Sequence, residues 1–312
     1  MTGAVIRIGT SGWQYPAARG WNGIFYPKPR PRGFDELSFY SQFFDTVEIN
    51  TTFYGQPRAE IARTWAEKTP GGFQFSVKLF QQFTHPRMFR ERLTRDLARQ
   101  LGTSDIPESA IAALIQANTS DIDTFKRGIE PLANAGKLGP LLAQFPASFR
   151  DDAASRAHLA ALLRAFGEYS VAVELRHRTW SDNRVQTVEL LNAFGASWVQ
   201  IDEPKFKDSI RQDFSPTDVP FFYLRLHGRN AKNWWRHAHR DDRYDYDYSE
   251  EELRPLAEAI GAASGQRKRA YAYANNHANA RAISTAAKLR KLVGQPLEKA
   301  LPDLVIAGAR KN

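Results

Sequence analysis

Short apolar runs rich in β-branched and aromatic residues recur along the chain: Val5–Ile8, Thr46–Asn50, Gln74–Lys78, Leu141–Phe145, Val171–Leu175, Ser197–Ile201, Phe222–Leu226 and Ala270–Ala274. Runs of this length read as strands. Between most of them the apolar positions switch to helical spacing, over Asp35–Phe44, Glu60–Lys68, Ala153–Phe166, Arg184–Phe194, Glu250–Ile260 and Ala280–Val293. Ser249 followed by Glu252 has the form of a capping box at one helix start. Strands alternating with helices predict a parallel sheet with right-handed crossovers. Eight such units predict an α/β fold of the (β/α)8 TIM type, for which about 250 residues is typical.

The chain has 312 residues, and the excess falls between the third and fourth strands. Residues 79–138 are polar and helical, with helices expected around Arg90–Leu101, Pro107–Ala117 and Asp121–Ala135. A single domain over residues 1–312 carrying this helical insertion is the expectation. The main competitor, an open doubly wound sheet, lacks its glycine-rich phosphate fingerprint after the first strand.

The ends of the strands carry the chemistry. Side chains two apart share a face of a strand. By that parity Arg225 and His227 oppose Leu224 and Leu226, Glu174 and Arg176 oppose Val173 and Leu175, and Glu48 and Asn50 oppose Val47 and Ile49. Gln200 and Asp202 are read the same way against Val199 and Ile201. Lys78 and Gln144 close the third and fourth strands, Thr10 and Ser11 follow the first, and Asn275 and His277 follow the eighth. In a barrel the outward faces pack on helices, so these polar residues are expected to ring the C-terminal mouth. Buried charges are tolerable only when paired. The ring of Glu48, Lys78, Glu174, Arg176, Asp202, Arg225 and His227 sums to about zero with histidine neutral, which fits either a self-neutralising network or a working site.

Composition narrows the chemistry by exclusion. The absence of cysteine removes disulfides, thiolate metal sites and a cysteine nucleophile. No apolar run approaches the ~20 residues of a membrane span, and the N-terminal stretch lacks a signal-peptide layout, so a cytoplasmic location and no membrane partner are expected. A net charge of +9 permits an anionic partner without requiring one.

The segments Ile8–Trp13 (IGTSGW), Gly23–Pro27 (GIFYP), Thr46–Pro57 (TVEINTTFYGQP), Phe75–Lys78 with Trp65, and Thr84-His85 stand in a characteristic order. Leu138–Phe149, Val173–Trp180 (VELRHRTW), Leu226–Arg229 (LHGR), Tyr244–Leu253 and Tyr273–His277 (YANNH) continue it. In these motifs the chain resembles the domain of unknown function 72, or YecE-like, family over nearly its whole length. The resemblance implies a TIM-type barrel and supplies no established reaction. Pro16-Ala17-Ala18, where the family often has an aromatic residue, and Ala147, where a second proline is usual, depart from the pattern.

Lys78, Arg176 and Arg225 are three cations suited to phosphate oxygens, so the leading expectation is an enzyme, in class a hydrolase, acting on a phosphate-containing or nucleic-acid-derived substrate. His227, with His85 as the second choice, would move a proton, and Glu48, Glu174 and Asp202 would act as base or orienting groups. Asn50, Gln144, Asn275, Asn276 and His277 would orient the substrate. Trp13 and Tyr54, among the rim aromatics Tyr15, Trp21, Phe53, Trp180, Trp234 and Trp235, would stack on it. The cofactor is left open. A divalent metal on Glu48, Glu174, Asp202, His227 and His277 is a less favoured alternative, because the cations compete for the same carboxylates. A glycoside hydrolase using Glu48 and Glu174 is another, with Gln144 and His227 standing where common barrel glycosidases place their glutamates. The last is a non-catalytic anion or nucleic-acid binder drawing on Lys68, Arg87, Arg90, Arg92, Arg95, Arg99, Lys126 and Arg127.

Overall fold

The computed structural model describes residues 5–15, 20–103, 105–215, 217–234, 238, 241–266 and 268–306. Pro16-Ala17-Ala18, Trp235, Arg236, His237, His239 and Arg240 lie outside the described residues. The strands are β1 (Ile6–Ser11), β2 (Thr46–Ile49), β3 (Gln74–Lys78), β4 (Leu138–Gln144), β5 (Val171–Glu174), β6 (Ser197–Trp198), β7 (Gln200–Asp202), β8 (Phe221–Leu226) and β9 (Arg269–Ala274). All neighbours pair in parallel, in the order β6-β5-β4-β3-β2-β1-β9-β8-β7. The two ends of that order are successive pieces of one segment, so the sheet curls into a nearly closed barrel of the TIM type.

The sixth expected strand is therefore real but broken at Val199. Its first half pairs with β5 and its second with β8. The Gln212 side chain stands in for a neighbouring strand at the break, donating to Val199 O at 2.8 Å and accepting from Ile201 N at 3.0 Å. Satisfying those backbone groups is what allows the seam, since an unpaired buried amide costs about as much as a lost hydrogen bond.

Helices lie between the strands: α1 (Glu36–Tyr40), α2 (Ala59–Glu67), α3 (Gln81–Thr84), α4 (Pro86–Leu101), α5 (Glu108–Ile115), α6 (Thr119–Asn134), α7 (Ala153–Ala165), α8 (Thr179–Asp182), α9 (Arg184–Ala193), α10 (Glu250–Gly265), α11 (Arg281–Leu292) and α12 (Asp303–Ile306). The Ser249–Glu252 capping box forms at the start of α10, both bonds being made. The first helix is shorter than its apolar spacing predicts; Asp35 caps it through Ser38 N at 2.8 Å, and it ends at Ser41. The insertion between β3 and β4 comprises α3 to α6. It is clamped to the barrel where α6 crosses the start of α2: a Cβ on Gly128 would lie 2.2 Å from Pro57 O, so only glycine lets the two segments approach this closely. Among the described residues no helix is long and apolar enough to cross a membrane.

Both faces of the strands are covered. The outward face packs Val47, Val77, Val173 and Leu224 into the apolar core under the helices. The inward face is a column of polar layers. Near the base Tyr271 OH donates to Gln74 Oε1 at 2.8 Å. Above it Tyr273 OH meets Thr46 Oγ1 at 2.7 Å and Ser76 Oγ at 2.8 Å. Higher still Tyr223 OH donates to Glu48 Oε2 at 2.7 Å. Each bond is worth about 1 kcal/mol net, but each unmade one would cost more in this interior, so the layers specify the barrel's register.

Candidate functional site at the carboxyl ends of the strands

The top layer of the column is an ion cluster. Arg225 grips Glu48 with two donors, Nε to Oε2 at 3.0 Å and Nη2 to Oε1 at 2.7 Å, and reaches Glu174 Oε2 with Nη1 at 2.5 Å. Gln144 Nε2 donates to the other oxygen, Glu174 Oε1, at 2.6 Å. Burial alone would raise the Glu174 carboxyl, but Arg225, His227 and Arg176 outweigh it and hold it well below the usual carboxylate range. The cluster is fully buried, with Glu48 and Glu174 at 0% and Arg225 at 2% exposure, and a buried pair of this kind holds together through its geometry.

Above this floor lies a cavity of about 420 Å³, a size suited to a small ligand. Its polar lining includes Gln14, Asn50, Thr51, Lys78, Gln144, Arg176, Arg225, His227, Asn275 and His277. Its aromatic walls are Trp13, Tyr15, Tyr54, Trp65 and Tyr244. Trp13 and Trp65 meet edge to face at 5.7 Å, and Tyr15 stacks on the His277 ring at 4.4 Å. Tyr15 OH is held by Ser11 O, and His277 Nε2 lies 3.3 Å from Asp241.

Three groups meet the cavity in unusual states. Burial, with the guanidinium groups of Arg225 and Arg176 adding to it, lowers the Lys78 ammonium to about 7 against the pull of Glu174 and Glu48. Its Nζ sits 4.0 Å from the centre of the Phe53 ring and, among the described residues, makes no hydrogen bond or ion pair. His227 is kept below its ordinary value by burial, only partly offset by Glu174. The Asn275 amide nitrogen donates to His227 Nδ1 at 2.9 Å, so the neutral ring carries its proton on Nε2. Among the described residues that Nε2 makes no hydrogen bond within 3.5 Å; the acceptor Glu174 Oε1 is 3.6 Å away. Arg176 is anchored by Glu203, stands 3.8 Å from Glu174 Oε1 and lies under the Trp234 ring.

The structure brings Trp13, Asn50, Tyr54, Lys78, Gln144, Arg176, Arg225, His227, Asn275 and His277 together around one cavity. Glu48 and Glu174 lie beneath its floor. Asp202 does not join them: Ile201 is level with Arg225, so Asp202 shares its face with Leu224 and Leu226 and points outward. There it accepts from Arg229 Nε and Nη2 at 2.9 and 2.7 Å and from Tyr248 OH at 2.6 Å. The parity read from the sequence assigns the wrong face to this strand because an arginine and a tyrosine from later loops make an outward carboxylate affordable. Asn276 also turns away, donating to Tyr246 O and Thr285 Oγ1, both at 2.8 Å. His85 is not in the lining; it packs edge-on against Phe53 at 4.9 Å, and burial lowers it to about 3. Trp21, in a loop, and Trp180, in α8, are packed in the interior, their indole N–H groups donating to His277 O and Phe149 O. Gly228, at φ +87°, turns the chain directly after His227 where a Cβ would meet Tyr246 at 2.8 Å.

Tyr15, read from the sequence as a rim aromatic, is in the lining, whereas Trp65, Tyr244, Gln14 and Thr51 were not read from the sequence as site residues. They come from loops and α2, where no periodicity marks a facing. Among the described residues no group of three or more histidine, aspartate or glutamate side chains is arranged to hold a metal ion. The basic insertion is largely neutralised locally, by Arg87–Glu91, Arg90–Glu108, Arg99–Asp96 and Lys126–Glu168 pairs, and Lys68 pairs with Asp35.

A parallel α/β barrel with a polar cavity at the carboxyl ends of its strands belongs to the TIM-type class. Within it the family is clear: a family model described as "Protein of unknown function DUF72" matches residues 7–306, and the chain belongs to that family. It is 27% identical over 297 residues to UPF0759 protein YunF of Bacillus subtilis, covering 93% of this chain and 95% of that one. An 86-residue match at 30% identity, 28% of each chain, links it to UPF0759 protein YecE of Escherichia coli K12. Among solved structures, a DUF72 family protein of Thermotoga maritima is 30% identical with TM-score 0.73, covering 93% of this chain and 99% of that one. Another from Enterococcus faecalis is 22% identical with TM-score 0.75, covering 96% and 100%.

Proposed function

We propose that the protein is an enzyme that acts on a small phosphate-bearing substrate in the rim cavity. One observation carries the reading: Lys78 Nζ and His227 Nε2 meet the same cavity, yet neither has a hydrogen-bond partner among the described residues. Buried polar groups are ordinarily satisfied, so His227 Nε2 and Asn50 Oδ1, buried at this cavity without partners among the described residues, beside the half-buried Lys78 Nζ, support reading it as a ligand site. Arg176 supplies the permanent cation and free donors for an anion, and Asn50 and Asn275 supply orienting amides. His227 presents an Nε2–H to an oxygen that gains charge during reaction. The aromatic walls cover the rest of the substrate.

The other readings have less support. Arg225 holds both Glu48 and Glu174, so neither carboxyl is placed to act as the protonated acid of a glycoside hydrolase. A nucleic-acid tract would want free cations along the insertion, and most of those pair with neighbouring acids. Calorimetric titration with inorganic phosphate and a panel of phosphate monoesters tests the proposal. Arg176→Gln is expected to weaken binding about 10-fold, and His227→Ala to slow turnover about 10²–10⁴-fold. Phosphate binding that is absent, or indifferent to Arg176→Gln, would contradict it.

A further inference from the structure

We propose that Lys78 is a Schiff-base lysine, its amine condensing with the carbonyl carbon of a small aldehyde or ketone held in the cavity while His227 Nε2–H faces the carbonyl oxygen. The inference rests on the cavity being the substrate site and adds the functional group on which it works.

Lysines buried for structural reasons are tied down. Lys137 Nζ, for instance, donates to Ala66 O and Thr69 O, both at 2.6 Å. Lys78 Nζ, by contrast, lies over the Phe53 face, makes no hydrogen bond or ion pair among the described residues, and meets the cavity. The charged groups around it are the cations Arg225 and Arg176 and the carboxylates Glu174 and Glu48, both already bound by Arg225; His85, near by, stays neutral. Like-charged neighbours and burial together favour the free amine, and with a pKa of about 7 roughly half of it is nucleophilic at neutral pH. Such a group is a poor fixed phosphate ligand and a good carbonyl nucleophile. The tautomer of His227 fits the same chemistry. A neutral imidazole whose Nδ1 is occupied by Asn275 offers Nε2–H as an electrophile, the role that stabilises a developing oxyanion without carrying a full charge.

In the step itself the nitrogen lone pair forms the C–N bond as the carbonyl π pair moves onto oxygen, beside His227. The proton shed by nitrogen passes to that oxygen, giving a carbinolamine. The hydroxyl then takes one proton from solvent and leaves as water. One amine, one carbonyl and one proton become one protonated imine and one water, with no change of oxidation state.

Reductive trapping tests this on the full chain. Glyceraldehyde 3-phosphate and unphosphorylated glyceraldehyde are each incubated with the protein, reduced with borohydride, and the adducts located by peptide mass spectrometry. Lys78 is expected to be modified at least about 10-fold faster than the exposed Lys28 and Lys207, with a rate that rises through pH ~7 rather than ~10. Lys78→Arg, which keeps the charge, is expected to lose the fast adduct. Modification of Lys78 no faster than of Lys28 would overturn the assignment. Equal trapping of both probes at Lys78 supports the Schiff base while removing the phosphate preference. Phosphate binding that depends on Arg176, without an adduct at Lys78, does the reverse.

Discussion

Two polar clusters sit at the carboxyl ends of the strands, and they differ in one respect. Around Asp202 the carboxylate is answered by two donors of Arg229 and the hydroxyl of Tyr248. Around the cavity the Glu48–Arg225–Glu174 floor is equally well answered, but above it, among the described residues, His227 Nε2 has no hydrogen bond and Lys78 Nζ has only a ring-face contact. Both clusters hold buried carboxylates at strand ends, so that property does not mark a site. What separates them is bonding capacity left open toward a cavity, where a ligand can reach it: His227 Nε2 and Asn50 Oδ1 are buried without partners among the described residues, and Lys78 Nζ stands beside them.

The contrast can be broken at its strongest point first. Arg225→Met leaves Glu48 and Glu174 buried without their cation, and the expected loss is about 5 kcal/mol or more, enough to unfold a chain of ordinary stability. A thermal melt that shifts by only a few degrees would show that the floor does not hold the barrel top together.

Lys78→Met is expected to act in the opposite direction. The Lys78 pKa falls from 10.5 to about 7 on folding. The folded state therefore binds its proton less readily than the unfolded chain, and the wild type carries a penalty that is full below pH 7 and vanishes above pH 10.5. The variant is expected to be about 1–3 kcal/mol more stable at pH 7, with the gain shrinking as the pH is raised toward 10.5. Urea unfolding at pH 7 and pH 10 checks both the sign and the window.

The smallest effect is expected in the satisfied cluster. Arg229→Ala removes a pair that is 37% exposed on the arginine side, while Tyr248 still donates to Asp202. A loss of about 1 kcal/mol, with ligand binding unchanged, is expected. A loss of phosphate binding in that variant would merge the two clusters and undo the distinction.

Much of the fold was legible because it rests on short-range patterns. Strand and helix periods locate the barrel and the insertion helices to within a few residues, and parity on β2, β3, β5, β8 and β9 points Glu48, Lys78, Glu174, Arg225 and Asn275 inward. Parity fails at β7, where Ile201 faces in and Asp202 faces out, because the partners that make this tolerable, Arg229 and Tyr248, lie far along the chain from any pattern the strand displays. Asn276 fails for a related reason: it follows an inward residue but is bound by Thr285 of α11. Trp65 and Tyr244 were not legible as site residues, since loop and helix-surface aromatics have no period that reveals which way they face. Nor does a list of charges disclose that Arg225 takes both glutamates and leaves Lys78 alone; only distances do that.

The most direct measurement is the titration of Lys78 itself, followed by NMR on protein carrying isotope-labelled lysine and assigned with Lys78→Arg. A midpoint near 7 is expected, set apart from the surface lysines. A midpoint near 10.5 would mean that the ammonium is solvated or paired like any other, and that Lys78 is not a nucleophile kept free in the cavity.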